Sequence, residues 1–457
     1  MARMNTHTNA ASAPLAVITR RCSSSSRIRN TIILLLASGL ALFINCSSPQ
    51  TKRDESGGPV TLTYWSATNP QEVEFARQVA GEWNRERADV QIVVQPVPTG
   101  QSSEEIVLAA VASQTTPDIY ANASPAEMQN LIDAKGLVRL GDFADYAGAM
   151  RERMSPEVLQ QYRASDGHYY QIPWKQNPVM VLYNTRLLRA AGVTKLPQTY
   201  SEFLDAAGRV TSDDGGTRRW MLLIDFLPIW YKRLFDYYPL YLAATGGQTL
   251  LQERRAAFDN AGSIAAFSFL RECFARGYVP RQSFQGDAFV KEQVAARFVG
   301  ANVISYLERI VPADFEYDFA PVPRPDGATG KAWTYADPKS LVVFTTCRNQ
   351  RAAWEFVKYM TGRRNDLRLL EATSQLPIRG RLLDDDLFAD YFRRQPKMRR
   401  FAEQADTTRT VDSLAEIQEI FDIIAGEFEE SIFYNLKSPE QAVRDAARRS
   451  QQILDTQ

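Results

Sequence analysis

Residues 170–204 read YQIPWKQNPVMVLYNTRLLRAAGVTKLPQTYSEFL, and this stretch joins a strand to the start of a helix. The continuous apolar run VMVLYN (179–184) predicts a buried strand. Thr199 and Glu202 fit the Thr-x-x-Glu capping box, which predicts that a helix starts here. Trp174 precedes the polar residues KQN, so we expect that its side chain does not belong to a buried apolar stripe.

The chain before this stretch alternates short strands with amphipathic helices. Asn69 and Pro70 are suited to be the N-cap and first residue of one helix, and Ser124 and Pro125 open another in the same way. Elements in this rhythm are predicted at TLTYW (61–65), QIVVQPV (91–97), a helix near 103–113, and DIYANA (118–123).

The chain after residue 204 keeps the same rhythm. A helix is predicted at 349–362, and the C-terminal third is mostly helical. This alternation predicts an α/β fold with parallel sheets and helices on both faces, and about 400 residues exceed one ordinary core, so we expect two domains. Further strands are predicted at WMLLID (220–225), ANVISYL (301–307), YDFAPVP (317–323) and SLVVFTT (340–346).

The N-terminal segment has the pattern of a secretion signal. The apolar stretch Thr31–Ile44 has 14 residues, whereas a membrane-spanning helix needs ~20. Arginines precede it, and it runs into Cys46, which resembles the lipobox of bacterial lipoproteins, where the signal is cut before a cysteine that receives a lipid. A conventional signal cut nearby and an uncleaved anchor are the alternatives. We expect residues 1–45 to be a lipoprotein signal and residues 46–59 a flexible tether.

Composition excludes several classes of protein. Without residues 1–45 the chain has 48 basic and 53 acidic residues, a net charge of −5, so it has no basic excess for binding nucleic acid. His168 is then the only histidine, and only Cys273 and Cys347 remain for the folded body. These residues are too few for the usual zinc site, and we expect no metal and no cofactor. The two cysteines can form one disulfide, but a buried free thiol is favoured for Cys273.

Several motifs occur in the order expected for the extracellular solute-binding protein family 1, and the chain resembles this family, the maltose-binding-protein-like capture subunits of bacterial ABC sugar importers. The stretch 170–204 is the most specific of them. The resemblance runs from about Val60 to the C-terminus. The other motifs are TLTYW, ASQTTPDIY, GLVRLGDF, AATGGQ, FVKEQVAA, YDFAPVPRPDG, AAWEFVKYMTG and QLPIRGRLL.

The resemblance implies a two-lobe periplasmic-binding-protein fold, a clamshell of discontinuous lobes joined by crossing segments. The crossings are expected near Pro173–Trp174, near Tyr317–Val322 and after about Gly362. The N-terminal lobe would hold residues 60–173 and 318–362, and the C-terminal lobe residues 174–317 and 363–457. A ligand would lie in the cleft between lobes that close by a hinge motion.

A sugar needs flat aromatic rings for its C–H face and planar polar groups for its hydroxyls. Trp65 ends the first strand, and Trp174 follows the proline of the first crossing, where we expect it to stack on the ligand. Asn122 is at the C-terminal end of a predicted strand, and Glu308 follows Tyr306 at the end of another, where the family often has a contact. For each candidate, the alternative interpretation is a solvated loop position or a role in core packing. The remaining candidates are Trp230, Trp333, Asp337 and Arg379.

The function that the resemblance implies is capture of a mono- or oligosaccharide without catalysis, for delivery to ABC transporter permease subunits. The protein would be a monomer outside the cytoplasm, held to the membrane by its lipid. The same fold can bind a glycerol phosphate, polyamine, peptide or iron instead. A secreted glycoside hydrolase and a sensor lobe of a membrane receptor are further alternatives, although no hydrolase motif stands out.

The lipobox makes a direct prediction about the N-terminus of the mature protein. Replacing Cys46 with Ala should abolish incorporation of labelled fatty acid, because the thiol is the acceptor of the lipid. Labelling that persists in the variant, or a mature N-terminus elsewhere, would contradict the lipoprotein assignment.

Overall fold

The computed structural model describes residues 58–99, 102–214, 217–225 and 227–456. The predicted signal, Cys46 and all but the end of the predicted tether lie outside the described residues. None of the described helices is both long and apolar enough to cross a membrane.

The first sheet has six strands in the order β14-β4-β13-β3-β1-β2. β1 is parallel to β2 and β3, whereas β13 is antiparallel to both β3 and β4. The sheet is therefore mixed, and the prediction of a parallel sheet holds only for its first three strands. The bounds are β1 (Val60–Ser66), β2 (Val90–Pro96), β3 (Ile119–Ala123), β4 (Gln171–Gln176), β13 (Lys339–Val343) and β14 (Leu376–Pro377).

The second sheet has five strands in the order β11-β5-β10-β7-β6. It is also mixed, because β10 is parallel to β7 but antiparallel to β5. Two short pairs, β8 with β9 and β12 with β15, lie outside both sheets. The bounds are β5 (Met180–Asn184), β6 (Ser212–Asp214), β7 (Thr217–Leu223), β8 (Leu251–Gln252), β9 (Arg255–Ala256), β10 (Val294–Val299), β11 (Tyr317–Ala320), β12 (Thr334–Tyr335) and β15 (Thr408–Arg409).

Helices flank both sheets, and their starts follow the capping signals of the sequence. The side chain of Asn69 accepts hydrogen bonds at the start of the first helix, and Thr199 with Glu202 forms the predicted capping box. The helices are α1 (Pro70–Glu86), α2 (Ser103–Ser113), α3 (Pro125–Asp133), α4 (Tyr146–Arg151), α5 (Pro156–Gln160), α6 (Thr185–Ala190), α7 (Tyr200–Val210), α8 (Tyr237–Thr245), α9 (Ala261–Ala275), α10 (Val303–Ile310), α11 (Gln350–Met360), α12 (Arg363–Thr373), α13 (Asp386–Arg394), α14 (Pro396–Ala405), α15 (Ile417–Phe428) and α16 (Pro439–Asp455).

One predicted strand is wrong. Residues 301–307 were expected to form a strand, but they lead into and form most of helix α10, and the strand is β10, seven residues earlier. Ile304 and Leu307 are buried three positions apart, which is helical spacing. Neither the length nor the periodicity of a short apolar run distinguishes a strand from a buried helix.

The chain passes between the sheets slightly later than predicted. β4 keeps Trp174 in the first sheet, and the chain reaches the second sheet at Met180, so the first crossing is Asn177–Val179. It returns between β11 and β13, and β14 still belongs to the first sheet beyond Gly362. We call each sheet with the helices packed on it a lobe. Main-chain N–H groups of Asn177 and Val179 donate to the carbonyls of Ala336 and Tyr335 at 2.8 and 2.9 Å, so two crossing segments lie side by side.

Trp174 corrects the expectation of a ligand-facing ring. Its side chain has no exposed surface, and it belongs to the apolar core between the first sheet and helices α1 and α11. Its ring stacks on Phe75 with centroids 6.4 Å apart. The polar residue Lys175 next to it is also buried, with its ammonium group 4.8 Å from the centroid of the Trp174 ring and 2.5 Å from Glu72.

The cysteines agree with the favoured interpretation. Cys273 and Cys347 are both buried, and Cys273 is a free thiol on the apolar side of α9. Burial raises the pKa of the Cys273 thiol well above its ordinary value, which makes the thiol unreactive.

Truncating Trp174 should therefore destabilise the fold. We expect Trp174→Ala to lower the free energy of unfolding by ~3–5 kcal/mol, the usual cost of removing a buried Trp or Phe side chain. Urea denaturation measures the change, and Tyr434→Ala, at a side chain that is 55% exposed, is the matched control. A Trp174→Ala variant as stable as this control would contradict the burial.

Candidate functional site

Three predicted site residues meet at one edge of the first sheet. Trp65 pairs with Tyr120, and Ser340 pairs with Ala123, so the ends of β1 and β3 and the beginning of β13 lie together. Trp65 and Asn122 are half-buried at this edge, and Asp337 stands just before β13. The carboxyl ends of parallel strands are where α/β sheets place their ligands.

Four ionisable side chains form what we call the edge cluster: Glu104, Glu127, Asp337 and Lys339. The ammonium group of Lys339 lies 3.0 Å from a carboxylate oxygen of Asp337. Ser124 connects the two glutamates, since its hydroxyl donates to Glu104 at 3.4 Å and its main-chain N–H donates to Glu127 at 2.6 Å. The cluster therefore presents carboxylate oxygens and an ammonium group within a small volume.

Electrostatics within the edge cluster follow from burial. Burial, together with the nearby charge of Glu104, raises the pKa of Glu127 to about 8. The carboxylates of Asp337 and Glu104 raise the pKa of Lys339 although burial opposes them. Asp337 has a positive φ of 42°, which Asp tolerates better than most residues. Lys339 is therefore a fixed cation, and Glu127 carries a proton at neutral pH.

A second buried polar network underlies this edge. Glu72 at the start of α1 pairs with Lys175, and it also accepts a hydrogen bond from Gln375 at 2.8 Å. The side-chain amide of Asn177, in the first crossing segment, donates to Gln375 at 3.2 Å. These four residues are at most 5% exposed, so the network fixes the first crossing against both α1 and the end of α12.

The second lobe carries an open cavity of about 860 Å³. We call it the second-lobe cavity. It lies beyond the end of β7 and beside the N-terminal half of α10. Its wall combines aromatic rings with charged groups, and its residues include Asp225, Leu227, Lys232, Phe235, Phe284, Asp287, Arg297 and Tyr306.

Two ion pairs hold the polar groups of this cavity. Arg297 and Asp287 lie 3.1 Å apart, and the hydroxyl of Tyr306 donates to the same Asp287 oxygen at 3.2 Å. Lys232 lies 2.6 Å from Asp225. Tyr306 is 38% exposed, so one part of its ring is open while its hydroxyl is held in place.

Side-chain contacts connect the two lobes at these edges. Phe235, in the wall of the second-lobe cavity, packs edge-on against Tyr335 with centroids 5.9 Å apart. Tyr335 is buried and interacts electrostatically with Asp337 and Glu104, so it lies next to the edge cluster. Arg309 of α10 contacts the side-chain amide of Gln71 at the start of α1. The contact of Arg309 with Gln71 therefore places α10 of the second lobe against the start of α1 of the first lobe.

Two predicted tryptophans, Trp230 and Trp333, pack against the core of the second lobe. Trp333 is half-buried, with the Arg409 guanidinium 4.0 Å from the ring centroid on one side. Gly247 also approaches the ring so closely that a Cβ there would lie 2.5 Å from it. Arg409 lines a separate cavity of about 430 Å³ between α3 and residues 409–413. Trp230 is half-buried against the second-lobe core, beside Tyr231.

Arg379 and Glu308, two further predicted site residues, are not part of the edge cluster. Arg379 lies 2.5 Å from Asp366, which also pairs with Arg153 at 2.7 Å, and all three residues are largely buried. Arg379 thus belongs to a structural ion cluster behind α12. Glu308 is exposed on α10, and its charge acts on Tyr317, Tyr391 and Lys397, away from the edge cluster.

The sequence interpretation missed Glu104, Glu127 and Lys339. Lys339 begins an otherwise apolar strand, an unusual position for a lysine, and this signal was available. Glu127 forms a capping box with Ser124 in the structure, and the Ser-x-x-Glu spacing of these two residues is visible in the sequence. Among residues 58–99, 102–214, 217–225 and 227–456, no group of three or more His, Cys, Asp or Glu side chains could hold a metal ion.

Comparison with known proteins identifies relatives of the whole body. A family model described as bacterial extracellular solute-binding protein matches residues 67–366. The "uncharacterized lipoprotein in oleD 5′ region" of Streptomyces antibioticus is 25% identical over 384 residues, which is 78% of each chain.

Solved structures share the fold. The sugar-binding protein MalE of Xanthomonas citri has a TM-score of 0.70 at 19% identity and covers 87% of this chain and 98% of its own. The GacH receptor of Streptomyces glaucescens, solved unliganded and with acarbose, has a TM-score of 0.73 at 20% identity, covering 87% and 99%. The two-lobe architecture of these binding proteins is therefore the architecture of this chain.

Proposed function

The chain belongs to the bacterial extracellular solute-binding protein family, and on that premise we propose that it captures a carbohydrate between its two lobes. The ligand would lie between the edge cluster and the facing side of the second lobe. Trp65 would offer a flat apolar surface to the sugar, and Asn122, Asp337 and Lys339 would meet its hydroxyl groups. Trp230, Trp333 and Tyr306 remain candidates on the second lobe.

The edge cluster is the observation that carries this proposal. A sugar hydroxyl both donates and accepts hydrogen bonds, so it needs acceptors and donors side by side. Asp337 and Lys339 supply these 3.0 Å apart, and Glu104 adds a further acceptor. The half-buried ring of Trp65 at the same edge supplies the apolar contact that a sugar C–H face requires.

The alternatives fit this edge less well. A phosphate would meet three carboxyl groups and one lysine, which is an unfavourable balance for an anion. The names of related proteins also favour sugar, since one matching relative is an arabinooligosaccharide-binding protein from Halalkalibacterium halodurans, 24% identical over 179 residues. The family consists of binding proteins, and we propose that this member has no catalytic activity. Incubation with oligosaccharides should yield no shorter product.

We further propose that the protein delivers its ligand to ABC transporter permease subunits as a lipid-anchored monomer outside the cytoplasm. The family model supports the extracytoplasmic location. The resemblance of Cys46 to a lipobox cysteine and the lipoprotein relative from Streptomyces antibioticus support the anchor.

Binding should depend on the charge of Asp337. We expect Asp337→Asn to weaken binding of the best sugar in a panel of neutral mono- and oligosaccharides by ~1.5–3 kcal/mol, the usual worth of a hydrogen bond to a charged group. Asn tolerates the positive φ at this position, so the fold should be preserved. Titration calorimetry measures the affinity, and a thermal melt checks the fold.

Asp205→Asn is the matched control, because this carboxylate is 62% exposed on α7 and pairs with Arg209 one turn away on the same helix. The control should bind as the wild type does. Unchanged affinity of the Asp337→Asn variant would show that the edge cluster is not part of the binding site. A wild type that binds no sugar of the panel would refute the proposed function.

A further inference from the structure

We propose that Glu127 is a positioning residue of the sugar site, and that the protein captures its ligand most tightly while this carboxyl group carries a proton. Loss of the proton weakens binding, so capture depends on pH. The inference rests on the proposed function and adds to it a regulation of the same site.

Glu127 is buried in the first turn of helix α3, just after the end of β3. Only 3% of the residue is exposed. One of its oxygens accepts the main-chain N–H of Ser124 at 2.6 Å, but within the described part of the chain the other, Oε2, is buried without a hydrogen-bond partner. A buried charge that is incompletely paired costs far more than a buried neutral group. The position therefore favours the protonated acid over the carboxylate.

The charges around Glu127 are out of balance. Glu104, from α2, is joined to the same Ser124, whose hydroxyl donates to it at 3.4 Å. Lys339, at the start of β13, is the cation that acts on Glu127, and it already lies 3.0 Å from Asp337. Three carboxyl groups thus share one ammonium group. Because like charges in one site oppose each other's ionisation, this imbalance favours keeping a proton in the cluster.

Glu127 titrates close to neutral pH. Burial and the charge of Glu104 raise its pKa to about 8, although Ser124 and Lys339 oppose them. Burial raises the pKa of Tyr120, which faces Glu127 from β3, well above its ordinary value. The pKa of Lys339 is also raised, since neighbouring carboxylates outweigh its burial. Neither Tyr120 nor Lys339 therefore loses its proton before Glu127 does.

Ser124 connects this proton to the sugar site. It follows Asn122 by two residues, and with Glu127 it forms the capping box at which β3 passes into α3. When Glu127 is charged, it repels Glu104 and attracts water to the edge where the sugar lies. Closure of the lobes removes water from this edge, which penalises the charged form further. Binding therefore strengthens the hold of Glu127 on its proton, and by linkage the proton strengthens the binding of sugar.

Calorimetry at several pH values tests this coupling. The probe is the tightest binder among neutral glucose, xylose and arabinose oligomers, which have no titratable group in the range used. We expect wild-type affinity to fall about tenfold from about pH 6.5 to about pH 9.5. At about pH 8, binding should take up a fraction of a proton, so the measured enthalpy should differ between phosphate and Tris buffers in proportion to their ionisation enthalpies.

Glu127→Gln keeps the shape of the side chain and an acceptor for Ser124 but has no proton to lose. Its affinity should vary by no more than about twofold over the same pH range. Glu105→Gln, at an exposed position next to Glu104, is the matched control and should keep the wild-type pH dependence. Constant wild-type affinity, or pH dependence that persists in Glu127→Gln, overturns the inference and leaves the proposed function standing. Absence of binding for every oligomer overturns both.

Thermal melts without sugar check the protonation of Glu127 separately. Because its pKa is raised in the folded protein, the folded state keeps a proton that the unfolded chain releases, and stability falls as pH rises toward about 8. The wild-type melting temperature should therefore fall relative to that of Glu127→Gln from about pH 5 to about pH 8 and stay parallel to it above. A constant difference over the whole range would show that Glu127 is ionised in the folded protein, and it would overturn the inference.

Discussion

The crossing segments between the lobes are the constraint on which the rest of the structure depends. Asn177 and Val179 bond to Ala336 and Tyr335, and Ala336 donates in turn to the carbonyl of Arg409 at 2.9 Å. At this place a Cβ on Gly300 would lie 2.8 Å from that of Asn177, so only glycine lets β10 end so close to the crossing. Short paired segments of this kind let lobes rotate as rigid bodies.

The buried network at the crossing determines the relative position of its elements but contributes little to the free energy of unfolding. Burial lowers the pKa of Lys175 even though Glu72 stands 2.5 Å away, so the ion pair only partly offsets its desolvation. Such pairs contribute little net stability but penalise any arrangement that separates them. The network therefore holds the first crossing and the start of α1 in one relative position, and the residues of the edge cluster extend from that fixed frame.

Local sequence signals predicted much of the fold. Asn69, Ser124 and Thr199 cap helices because the capping bond is made within four residues, so the pattern is complete in the sequence. The family motifs predicted the two-lobe architecture, and the structural relatives confirm it. The expectation of parallel sheets was too simple, because the strands β4, β5, β11 and β13 that flank the crossings run antiparallel to neighbours.

The site was harder to predict because its contacts join distant parts of the chain. Trp174 seemed to stand among solvated polar residues, yet Lys175 and Asn177 find buried partners in Glu72 and Gln375. Glu104 and Lys339 come together only when α2 and β13 meet at one sheet edge. Of the nine predicted contact residues, Trp65, Asn122 and Asp337 share that edge, and Tyr306 lines the second-lobe cavity.

Closure of the two lobes around a sugar is the central claim, and small-angle X-ray scattering tests it most directly. The wild-type body is measured alone and with a saturating amount of a sugar whose binding calorimetry has established. We predict a smaller radius of gyration in the bound state, because the lobes rotate toward each other about the crossing segments. An unchanged radius of gyration at saturation would contradict the account.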